Sequence, residues 1–237
     1  LRDAPKARDL LTLPQYFSKH GYHSLSRGKI FHAHILKGNE RGDQGQWAFD
    51  EWHAADGWAG PISKNRPVNG LPNLPGEKGY HSTGFDWGPT VGNDETKMKD
   101  YQTALWAVEQ FRDRQFDKPF FMAVGISKPH LQWWVPQKYF DMYPLEDLRL
   151  PYAPANDRDD IPTAAFAHNC PVPHYGLDKL TCLKAMQAYY ACVSFVDAQV
   201  GRMLDALDRL KLSDRTIVVF WSDHGYHLGE HDGIWQK

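Results

Sequence analysis

The sequence predicts an α/β fold built on a mostly parallel sheet with helices on both faces, and three observations carry that reading. Three times along the chain a helical apolar period is followed by a short run of apolar, β-branched or aromatic residues, in 11–27, 98–125 and 178–221. Parallel strands need helical crossovers between them, so helix-then-strand units joined in series imply parallel pairing and two covered faces. Each predicted strand is also followed at once by charged or imidazole side chains, as expected at the carboxyl edge of an open α/β sheet, where ligands bind.

The first unit opens with a helix over 11–20, with Thr12 as its N-cap, Pro14 in the first turn and Gly21 as the stop. A short strand over 22–27 follows. Met98, Tyr101, Leu105 and Val108 recur at helical spacing up to Arg112, and the run FFMAVG at 120–125 reads as a buried strand. The third helix begins near Asp178 and carries Leu183, Met186, Val193, Val200, Met203 and Leu207 on one face. Its strand is TIVVFW at 216–221.

Two long stretches, 38–97 and 137–177, are rich in Gly, Pro, Asn, Asp and Trp and read as irregular loops that shape a binding site within a single domain, 1–237. A formal net charge of −2, with no run of Lys or Arg, provides no field for nucleic acid or an anionic membrane. No apolar stretch reaches the roughly twenty residues of a membrane span. Three cysteines, Cys170, Cys182 and Cys192, lack zinc-finger spacing and leave the redox compartment and any pairing open. The first residue is Leu1 rather than Met, and Lys237 stands directly after a candidate site loop, so a piece of a longer protein is expected.

The chemistry collects after the strands. Lys29 and His32 follow the first, Lys128 and His130 the second, and Asp223 with His224 the third. Taken alone, a Lys and a His after a strand are more often a solvated turn than a catalytic pair; their convergence on one sheet edge favours a site. Ser222-Asp223-His224-Gly225 makes a compact metal corner, with an oxygen ligand suited to a hard cation and an imidazole that also admits zinc. His227, Glu230 and His231 read as loop groups around it rather than as a second metal site.

These residues resemble the type I sulfatases of the alkaline phosphatase-like superfamily, and within them the iduronate-2-sulfatase-like branch. The blocks LPQYFSKHGYHSLSRGKIFH, KPFFMAVGISKPH, FVDAQVGRMLDAL and TIVVFWSDHGYHLGEH occur in the family's order. The resemblance implies an incomplete sulfatase fold, a sulfuric ester hydrolase acting on a sulfated sugar or glycosaminoglycan, and one divalent cation, normally Ca²⁺, held by Asp223 and His224. It implies that Lys29 and His32 contact the nucleophile and sulfate, that His130 stands at the leaving oxygen, and that Lys237 holds a sulfate oxygen. Lys128, Trp133 and Trp134 are candidate substrate contacts, the indoles as stacking faces for sugar rings or else as loop packing.

The family's nucleophile is a formylglycine made from Cys or Ser in a C-x-P-S-R-type motif, and none of the three cysteines fits it: Cys170 precedes Pro171-Val172-Pro173, and the other two fall in the predicted long helix. The paired aspartates that complete the family's metal site are likewise not found. The expectation is therefore that this chain alone is inactive. The rival readings are a two-zinc phosphodiesterase or phosphatase of the same superfamily, and a non-catalytic glycan-binding relative. Location by resemblance is exported, periplasmic or lysosome-like.

Overall fold

The structure, a computed structural model, describes residues 10–31, 46–53, 85–154, 156–162 and 173–236. These group into two compact units. The first holds described residues in 10–53, 96–127 and 199–214; the second holds those in 85–95, 128–198 and 215–236.

In the first unit, helix α1 (Leu13–Lys19) is started by Thr12, whose N–H and hydroxyl both donate to Gln15 Oε1 at 3.0 Å, with Pro14 inside the first turn. Gly21 takes a positive φ and ends the helix, as the sequence predicts. Strand β1 (His23–Gly28) follows and runs parallel to β2 (Glu51–His53) on one side and to β4 (Phe120–Gly125) on the other. Helix α2 (Lys99–Asp113) is the crossover that leads into β4.

Both faces of β1 are covered. Leu25 is fully buried with Trp106 and Ala107 of α2, and Phe111, Phe120, Met122, Val124 and Met203 pack against this cluster. On the opposite face Ser24 points at the Asp50 carboxylate, which accepts bonds from the Ser24 N–H (2.8 Å), the Ser24 hydroxyl (3.0 Å) and the Ser18 hydroxyl of α1 (2.9 Å). Burial works against the charge on Asp50, but these bonds outweigh it and hold the carboxyl below its usual range. One carboxylate thus ties helix, strand and the entry to β2 together.

The second unit is built on aromatic packing. β3 (Trp87–Pro89) pairs in parallel with β5 (Trp133–Val135), with Trp87 opposite Trp133. Phe85 lies edge-on to Trp87, Trp133 and Trp235 at ring separations of 5.4, 5.5 and 5.7 Å. Helix α3 (Gln137–Phe140) follows β5, and its Tyr139 hydroxyl donates to Glu95 at 2.6 Å. Helix α4 (Lys179–Arg209) starts at Asp178, whose carboxylate accepts the Thr181 N–H and hydroxyl, each at 2.9 Å.

Two expectations are corrected. The stretch 38–97 is not wholly irregular: β2 and β3 lie in it, each only three residues long and so without the alternation that marks a strand. The segment 216–221 is not a strand of either sheet among the described residues. It is exposed, with Ile217 at 92%, Val219 at 66%, Phe220 at 73% and Trp221 at 70%. A strand apolar on both faces needs neighbours on its edges and helices over its faces, and among the described residues no strand pairs with this segment. Among the described residues no helix is long and apolar enough to cross a membrane.

Candidate active site

Lys29 leaves the carboxyl end of β1, where Gly28 and Gly125 stand opposite each other in register. Its N–H donates to Gly125 O at 3.0 Å, and the next amide, Ile30 N–H, turns back to Gly28 O at 3.2 Å. The side chain of Lys29 is half-buried. The chain leaving β4 is anchored two residues later, where Ser127 N–H donates to Asp100 Oδ1 of α2 at 2.8 Å. The first two predicted strand ends do emerge side by side on one parallel sheet.

The remaining described candidates belong to the second unit. Lys128 is buried and its ammonium donates to Gln132 O. His130 is exposed, with Nδ1 2.8 Å from Leu131 O. A carbonyl can only accept, so Nδ1 carries the N–H in this contact. Trp133 and Trp134 are 0% and 1% exposed, and the Trp133 indole donates to Pro129 O at 2.8 Å. Neither ring has a face open to a sugar here: both are buried, Trp133 among Phe85, Tyr189 and Tyr226. His32 and Lys237 lie outside the described residues.

Asp223 and His224 are adjacent and solvent-facing, with His224 Nε2 3.5 Å from Asp223 Oδ2. The His224 ring points Nδ1 at Gly225 O (2.9 Å), which makes Nδ1 the donor and leaves the lone pair on Nε2, beside the carboxylate. That is the tautomer of a metal-binding imidazole whose other nitrogen is held by a backbone carbonyl. The Ser222 hydroxyl closes the turn on His224 O at 2.7 Å. Among the described residues no group of three or more His, Cys, Asp and Glu could hold an ion, so this pair fits a metal as part of a ligand set rather than as a whole one.

The loop beyond is fixed by side chains that the sequence reading leaves unassigned. The Trp235 indole donates to His174 Nδ1 at 3.0 Å, Arg158 donates from Nε to His231 O at 2.7 Å, and Asp157 lies 3.1 Å from His231 Nδ1. Burial pushes the His174 imidazole down, which favours the neutral acceptor form. Cys182 and Cys192 are buried and unbridged on α4, and burial pushes the Cys182 thiol up to about 11, so it is an inert thiol rather than a nucleophile. Gly28, Gly125 and Asp100 also escape the sequence reading. The available signal is a Gly directly before Lys29 and another closing the run FFMAVG.

One unit carries a parallel α/β sheet with Lys29 at its carboxyl edge, and the other carries the adjacent Asp223–His224 pair. The chain belongs to the sulfatase family, whose model matches residues 2–237. It is 39% identical to a sulfatase of Formosa agariphila over 96% of this chain and 44% of that protein. It is 32% identical to human iduronate 2-sulfatase over 98% of this chain and 43% of that one. The chain thus spans less than half the length of these relatives. Among solved structures, a protein in complex with its substrate D-glucosamine-2-N,6-O-disulfate superposes with a TM-score of 0.51 at 18% identity, covering 97% of this chain and 52% of the other. A structure from a glycosaminoglycan-metabolism locus of Bacteroides thetaiotaomicron gives 0.52 at 17% identity, covering 94% and 43%. These likenesses support the alkaline phosphatase-like α/β fold.

Proposed function

We propose that the protein to which these residues belong hydrolyses sulfate esters of a sugar or glycosaminoglycan fragment. The observation that carries the reading is the Lys29 turn on the parallel sheet, in a chain that matches the sulfatase family along almost its full length. In this reading Lys29, His32 and Lys237 neutralise sulfate oxygens, and electrostatic stabilisation by such fixed cations supplies most of the rate. Asp223 and His224 would hold a divalent cation, Ca²⁺ by family resemblance, which would supply positive charge to a bound sulfate ester. His130, as the imidazolium, gives a proton to the departing sugar oxygen. Lys128, buried and bonded to Gln132 O, orients the turn that presents His130. The nucleophile is a formylglycine contributed by residues other than these, since no cysteine of this chain carries the modification motif. The 237-residue chain by itself is accordingly inactive. An exported location fits this substrate class.

The test is turnover of a chromogenic aryl sulfate and of sulfated disaccharides by the full-length polypeptide, with and without chelator. Sulfate-ester hydrolysis lost on chelation is expected. Phosphodiester hydrolysis with no sulfatase activity overturns the reading. Within it, His130→Ala is expected to slow sugar sulfates by about 100-fold or more while sparing aryl sulfates, whose leaving groups need no proton. Equal losses on both would remove the acid role.

A further inference from the structure

Gly28 and Gly125 are the last residues of two paired parallel strands, and neither position has room for a side chain. A Cβ on Gly28, which sits at φ +89°, would lie 2.0 Å from Gly125 O and 3.0 Å from Thr103 Cγ2. A Cβ on Gly125 would lie 2.3 Å from the carbonyl carbon and oxygen of Lys29 and 2.4 Å from its nitrogen. Restoring ordinary contact at 3.4 Å or more means moving the Lys29 backbone by about 1 Å, because the sheet ladder holds Gly125 in place. The Lys29 amide bond to Gly125 O shows which group the gap serves.

From this geometry we infer that Gly125 is a positioning residue for Lys29: its missing side chain lets the Lys29 backbone seat on the end of β4, and so fixes where the ammonium is delivered. This rests on the reading that Lys29 meets the sulfate. Thr103 and Asp100, one turn of α2 apart, close the arrangement from the helix side, Thr103 against Gly28 and Asp100 on the Ser127 amide. The sheet end, the turn and the helix therefore form one seat for the lysine.

The experiment is a double-mutant cycle on the full-length polypeptide, with Lys29→Ala, Gly125→Ala and the pair, read as kcat/KM on an aryl sulfate. Displacement of a reacting group by about 1 Å costs on the order of 100-fold, so Gly125→Ala is expected to lose about that much. It should cost nothing further in the Lys29→Ala background, and Gly201→Ala, where nothing lies within 4 Å, should retain full rate. Amide hydrogen exchange should show the Lys29 N–H deprotected in Gly125→Ala while β1 and β4 stay protected. Losses that multiply across the cycle, or an unchanged Gly125→Ala, overturn the inference. Full activity in Lys29→Ala instead refutes the site reading. Should Gly125→Ala fail to fold, Thr103→Ile adds bulk on the other side of the same turn and gives the same cycle.

Discussion

Single side chains in this protein are held mainly by charge-assisted bonds, and the best defined is Glu51. Arg114 grips its carboxylate with both terminal nitrogens, one of them 2.7 Å from Oε2, and His23 Nε2 lies 2.8 Å from Oε1. The Arg114 bond, opposed by burial and helped by the positive charge beside it, lowers Glu51 from 4.5 to about 2. A depressed carboxyl contributes stability that is present above its unfolded value and lost as pH falls through the folded one. Thermal unfolding should therefore show a loss between about pH 4.5 and 2 that Glu51→Gln reduces, the part left over belonging to other lowered carboxyls such as Asp50. At neutral pH that substitution should cost about 1 kcal/mol, because the pair is partly exposed and screened. Lys29, Asp223 and His224 stand out in the sequence because each follows a run predicted as a strand. Glu51 and Arg114 are not, since only the parallel pairing of β1 with β2 brings residues so distant in sequence together.

Elements follow the sequence where a local signal dominates and depart from it where tertiary pairing does. α1, α2, α4, β1 and β4 appear within a residue or two of their predicted bounds, the helices with a cap or a period and β4 with an unbroken apolar run. β3 (WGP) and β5 (WWV) are three-residue strands whose Trp87 and Trp133 stand in register, with Phe85 packed on both. The same burial explains why Trp133 and Trp134 read as sugar platforms in the sequence and as packing in the fold: aromatic content does not say which face stays open. At this scale Leu25 is the point of failure, being fully buried between β1 and α2. Leu25→Ala should cost about 3 kcal/mol, seen as a lower denaturant midpoint with an unchanged slope.

At the scale of the molecule, the most exposed apolar run among the described residues is 217–221, β-branched and aromatic and outside both sheets. Exposed apolar strands of this kind template self-association. Concentrated 1–237 should bind a hydrophobic dye and sediment as soluble oligomers, and Val219→Lys with Phe220→Glu should return it to a monomer without lowering its melting temperature. Unchanged sedimentation would remove the segment from responsibility.

That exposed run also supplies an optical handle. Of the nine tryptophans, Trp133, Trp134 and Trp235 are shut away from water, whereas Trp221 is 70% accessible. Its emission should be red-shifted and readily quenched by iodide, so the difference spectrum against Trp221→Phe reports, in real time, whether anything comes to cover those residues.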